Sequence, residues 1–172
     1  MYSKSVKKLT LLIAMLMATS AWAYNETDLL KFKVLNACEG CDLSEADLSD
    51  GDFEKANLSK ADLFGANLKG ANLSGANLVD AFLREANLSK ADLTGANLFD
   101  ANLRSAKLVR ADLTDTDLVN TSLLLADFSD AKLKNAKLDG ALFCKTQMPW
   151  GEVNDDCQMW GASIDENGML KW

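Results

Sequence analysis

From Cys41 to Lys145 the chain carries a leucine or phenylalanine at every fifth residue, beginning Leu43, Leu48, Phe53 and closing Leu138, Phe143. Leucine takes 18 of these 21 positions, and phenylalanine takes 53, 128 and 143. Two residues before each stands a small residue, alanine in 17 cases, with Cys41, Gly51, Thr116 and Thr121 the exceptions. Between the small and the large residue lies Asp or Asn in 15 cases. The frame does not slip once, so an internal repeat is the first thing the sequence announces.

A period of five suits neither simple element. On an α-helix five residues turn about 500°, which would scatter the leucines around the axis. On a flat strand an odd period would send successive leucines to opposite faces. Both constraints are met if a short extended stretch points the small residue and the leucine inward, with Asp or Asn outward, and two further residues turn a corner. Gly65, Gly70, Gly75, Gly95 and Gly140 fall at the second corner position, where a positive φ is often required. The expected fold class is therefore an all-β solenoid: stacked coils, leucines at the centre, alanines letting the walls approach.

The flanks read differently. Met1 to Lys8 is basic, Leu9 to Ala18 is apolar but short for a bilayer span, and Ala21-Trp22-Ala23 has the small residues of a signal-peptidase site. Residues 1–23 are read as a secretory signal, placing the mature protein in the periplasm or outside the cell. No second apolar segment follows, so no membrane insertion is expected after cleavage. Residues 24–40 form an N-terminal cap containing a helix from Thr27 to Asn36. Asn25 or Thr27 is its capping residue, and Leu29, Leu30, Phe32, Val34 and Leu35 supply apolar cover. Residues 41–145 are the repeat. Residues 146–172, turn-rich and bearing Trp150, Met159, Trp160 and Trp172, form a C-terminal cap, because the ends of a stack need covering.

Net charge is −7, and losing Lys4, Lys7 and Lys8 with the signal makes the mature chain more acidic by three. Such a chain repels nucleic acid and anionic membranes. There is no histidine, which removes the Ser-His and Cys-His nucleophile systems and the commonest acid–base group. The carboxylates sit on convex solvated faces, and no insertion breaks the frame to form a pocket. No enzyme, no catalytic residue and no cofactor is expected.

The A(D/N)LxG pattern, as in Ala66-Asn67-Leu68-Lys69-Gly70, resembles the pentapeptide-repeat family over about 105 residues. The resemblance implies a right-handed quadrilateral β-helix with four repeats per coil, a little over five coils here. With that geometry carried over, Val79, Phe99 and Val119 stack as an outward apolar column. Phe64 and Leu124 share another, with Phe82 and Leu125 beside it. These seven residues are the candidate partner-binding surface. Cys41 and Cys144 then stand roughly 24 Å apart at the strand spacing, beyond disulfide reach, so Cys38–Cys41 and Cys144–Cys157 are the expected pairs. No zinc site is expected at Cys38-x-x-Cys41, which lacks two further ligands, and no metal is assigned.

These features point to an exported structural or protein-interaction module whose partner is another protein of unknown identity, with an end-to-end dimer open. The alternative comes from the resemblance: some family members mimic DNA and inhibit gyrase, and this chain crowds Asp42, Glu45, Asp47, Asp50, Asp52 and Glu54 into its first coil. Against it stand the signal segment and the basic Lys132, Lys134, Lys137 and Lys145. Cation binding along Asp52, Asn72, Asp92 and Asp112 ranks below both, because calcium needs six to eight converging oxygens.

Overall fold

The computed structural model describes residues 25–153 together with 163–164 and 170–171. The proposed signal segment, Cys157, Met159, Trp160 and Trp172 all lie outside the described residues.

Parallel bridges join each outward residue to the one twenty positions on, from Ala37↔Asn57 through Asn87↔Lys107 to Asp127↔Gln147. Twenty residues per coil and five per side give a four-sided β-helix. Every leucine from 43 to 123 at the inward position is buried, as are Phe53 and Phe128, and the alanines from 46 to 111 beside them are buried too. Leu133, Ala136, Leu138 and Phe143 of the last coil are partly buried against this core. Each fully buried leucine contributes about 1.5–3 kcal/mol, as an upper range.

One interior repeat shows how the backbone is satisfied. The Ala86 N–H closes a turn onto the Leu83 carbonyl (3.2 Å), Asn87 donates to Ala66 one coil back (2.9 Å), and Leu88 and Lys90 donate to Lys107 and Val109 one coil on (2.7 and 2.9 Å). The remaining donor, Ser89 N–H, meets the Asn87 side-chain oxygen at 3.2 Å. The last residue of each repeat has positive φ, at all positions from Gly40 to Lys145 in steps of five. Only six of these are glycine. The others, Leu125 among them at φ 60°, accept a backbone that L-residues normally avoid, because the turn is closed on both sides by the stack.

Helix α1 (Glu26–Leu35) precedes the first coil. Asn25 is its N-cap, its side chain accepting the Thr27 and Asp28 N–H groups, and Asn36 ends it in the left-handed region. The apolar cover expected from five residues is corrected here. Phe32 is buried and Leu29 partly so, whereas Leu30, Val34 and Leu35 are exposed. At 100° per residue a helix lying across a coil can turn only one stripe inward, and Leu30 and Val34 are on the side away from Phe32.

Phe32 packs on Phe53, with ring centroids 4.7 Å apart. This contact explains two breaks in the repeat. A Cβ at Gly51 would collide with the Phe53 ring, so glycine stands where alanine is the rule. At the other end β1 (Thr146–Met148) continues the ladder and pairs antiparallel with β2 (Gly151–Val153). A second antiparallel pair joins β3 (Ser163–Ile164) and β4 (Leu170–Lys171).

Candidate functional site

All 15 Asp and Asn side chains between the small residue and the leucine accept the N–H two residues on, from Ser44 N–H to Asp42 (3.1 Å) through Ser89 to Asn87 (3.2 Å) to Ser129 to Asp127 (2.9 Å). This Asx-turn gives the corner donor the partner that the ladder cannot supply. A residue that looks in sequence like a solvated outward polar group is thus a structural acceptor. Its sequence signal is the strong choice of Asp or Asn over Ser, Lys or Glu.

The same side chains bond along the columns. Asn72 donates to Asp52 (2.8 Å), Asn67 to Asp47 (3.0 Å) and Asn77 to Asn57 (3.2 Å). Lys132 reaches Asp112 at 2.8 Å and Lys137 reaches Asp117 at 3.5 Å. Asp112 is lowered to about 2, first by the Lys132 hydrogen bond and then by the Thr114 hydroxyl. Asp47, bonded by the Ser49 side chain and backbone, is also lowered. The proposed cation column of Asp52, Asn72, Asp92 and Asp112 does lie in one ladder, but its Asp52 and Asp112 oxygens are already engaged by Asn72, Thr114 and Lys132.

The candidate surface residues fall on separate strips. Each coil turns one side between the corner ending at 80 or 100 and the corner opening at 84 or 104. Phe82 stands at the middle of that side, half exposed (52%), and Phe99 is 36% exposed on the neighbouring corner column with Val79 and Val119. Phe64 and Leu124 share a column, but Arg84 and Arg104 lie between them, and the Arg84 guanidinium sits 5.9 Å over the Phe64 ring. The apolar column is therefore interrupted by charge. Leu125 lies on the far side of the same corner.

Cys38 and Cys41 are buried, with their sulfurs 2.00 Å apart. Asp28 brings a carboxylate close to both, an acid the sequence spacing did not suggest, yet the two sulfurs are committed to each other. Cys144 is buried. A cleft of about 320 Å³ opens between α1 and the first coil, lined by Phe32, Lys33, Asp47, Ser49, Asp52 and Phe53 among others. Its Asp47 is held below the usual carboxylate range, the wrong direction for a group that must exchange a proton near neutrality. No described helix is long and apolar enough to cross a membrane.

The pentapeptide-repeats family model matches residues 41–78, 66–104 and 106–143, more than half of the chain, and the chain belongs to this family. Membership agrees with the right-handed quadrilateral β-helix expected from the repeat. The pentapeptide repeat protein Rfr23 from the cyanobacterium Cyanothece 51142 is 30% identical with a TM-score of 0.65, covering 67% of this chain and 92% of its own. HetL from Nostoc sp. strain PCC 7120, a protein involved in regulating heterocyst differentiation, is 28% identical over 64% of this chain and 76% of its own, with a TM-score of 0.33. A pentapeptide repeat protein of the Arabidopsis thaliana thylakoid lumen is 29% identical over 74% of this chain and 77% of its own, also at 0.33. No curated protein matches the sequence.

Proposed function

We propose that this protein is an exported, non-catalytic interaction module, a rigid square rod that presents one side to a protein partner. The observation that carries the reading is Phe82, half exposed at the middle of a side whose Asp80, Phe82 and Leu83 N–H groups are committed to the ladder. A large aromatic beside arginine is the composition of protein-binding hot spots. The signal segment supplies the export, and an oxidising compartment suits the cysteine pairs, Cys38–Cys41 and, in this proposal, Cys144–Cys157.

Helix α1 and the β1–β2 hairpin act as caps. At the first coil Asp42 donates its N–H to the Asp28 carboxylate (3.1 Å), and its carbonyl accepts from Asn25 N–H (3.2 Å). These are the bonds a preceding coil would have made, so the helix closes the edge of the stack at Asp42. DNA mimicry is not extended to this chain, since its acidic columns end in the paired Lys132 and Lys137.

The test is a photo-crosslinking residue at position 82 in cells that export the protein, beside a control at the exposed Lys90. A discrete adduct at 82 alone is the expected result. Equal labelling at both positions would remove the assignment of this side. A fused reporter active only outside the cytoplasm checks export separately.

A further inference from the structure

We propose that the side centred on Phe82 pairs with the same side of a second copy, the two rods lying parallel about a two-fold axis along their length. This rests on the interaction-module proposal and names its partner. Two successive coils cross the side as Asp80-Ala81-Phe82-Leu83-Arg84 and Asp100-Ala101-Asn102-Leu103-Arg104. Their Asp80–Phe99 and Asp100–Val119 backbone bonds show the coils stacked in register. One edge of the side therefore carries Asp80 beside Asp100, and the opposite edge carries Arg84 beside Arg104.

Like charges adjacent across a ladder repel. The two edges are four residues, about 13 Å, apart along extended backbone, too far for direct pairing without help from long side chains. Among the described residues no ion pair is formed by Asp80, Asp100 or Arg104, while Arg84 has a 3.6 Å contact with Glu85 on the next strip of its corner. The rod thus holds two oppositely charged edges flanking an exposed aromatic, the basic edge partly offset by Glu85.

A two-fold axis parallel to the rod resolves both repulsions at once. It lays the acidic edge of each copy on the basic edge of the other, and Phe82 meets its symmetry mate at the centre. The antiparallel arrangement is rejected, because it sets acid on acid and base on base. Asp62, one coil earlier on the centre line, faces its own copy and opposes the contact. Five coils stand about 24 Å tall, so the interface is at the small end of specific contacts and its dimer dissociates readily.

The experiment is sedimentation equilibrium of the protein as purified from exporting cells, up to millimolar concentration and in low and high salt. Wild type is expected to be a reversible dimer that salt weakens. Arg84→Asp with Arg104→Asp, and separately Asp80→Arg with Asp100→Arg, should each lower self-association at least about tenfold. Mixing the two variants should restore a one-to-one dimer, which a merely structural role would not do. Asp62→Asn should tighten the wild-type dimer, and circular dichroism confirms that each variant is folded. A wild type that stays monomeric throughout, or charge-edge variants that associate as well as wild type, would overturn the proposal. A monomer that still gives a discrete adduct at position 82 would leave the interaction module standing and remove the second copy as its partner.

Discussion

In the interior the N–H of Asn87 ends on the Ala66 carbonyl one coil back, whereas in the first coil Asp42 has no coil behind it and its N–H ends on the Asp28 side chain. The same contrast runs through the packing. Leu88 is buried among leucines of its own kind, while Phe53 leans over Gly51 to meet Phe32 of α1. Interior coils satisfy one another by repetition. The first coil is satisfied by particular residues brought from outside the repeat. Substitutions that look alike in sequence should therefore behave differently in the two regions.

The largest effect belongs to the interior core. Leu88→Ala should cost about 2–5 kcal/mol in denaturant unfolding, since neighbours held in two ladders cannot collapse into the space. A cost well below 1 kcal/mol would mean that the coils relax independently. Next comes the substitution that restores the repeat at the first coil. Gly51→Ala places the usual residue at its usual position, yet it should destabilise by about 1–3 kcal/mol because the new Cβ meets the Phe53 ring. Adding Phe53→Leu should recover part of that loss. The interaction energy from this double-mutant cycle measures how far the first coil departs from the interior ones.

Smaller again is the Asx bond. Asn87→Ala removes the acceptor of Ser89 N–H and should cost about 0.5–1.5 kcal/mol, while Asn87→Asp, which keeps the oxygen, should cost less. Equal costs would mean that water replaces the side chain. The smallest effect concerns the last full coil, where Lys132 lies over Asp112. The Asp112 carboxyl is held at about 2 against an ordinary 3.8, so its contribution is fully present above the ordinary value and fades as pH falls toward 2. Lys132→Met should raise the Asp112 midpoint, read by carbonyl NMR, but not fully to the ordinary value, because the Thr114 hydroxyl still donates to it.

The architecture was open to reading because repetition writes one physical requirement 21 times. Leu43 to Phe143 announces an inward position, and the alanines announce a narrow wall. What escaped was of two kinds. The acceptor role of Asp and Asn was hidden by their polarity, since an outward carboxamide looks solvated until the orphan N–H beside it is found. The sequence locates the helix to within a residue but not its covering stripe, because Leu29, Leu30, Phe32, Val34 and Leu35 leave no polar side from which to infer the inward one. Gly51 and Phe53 appear in sequence as two faults in the pattern, and only Phe32, outside the repeat, makes them one feature. The face carrying Phe82 was legible as apolar residues, while its charged edges emerge only when coils are stacked.

The twenty-residue pairing also sets how such a protein can change length. Removing or inserting a whole coil leaves every column in its place and only shortens or lengthens the rod. Inserting a single repeat keeps the core intact but swings everything beyond it by a quarter turn, carrying Arg104 away from the side it shares with Arg84. Growth in units of five is thus conservative for folding and disruptive for surface identity. A lineage that duplicates repeats can re-aim its contacts without altering one buried residue.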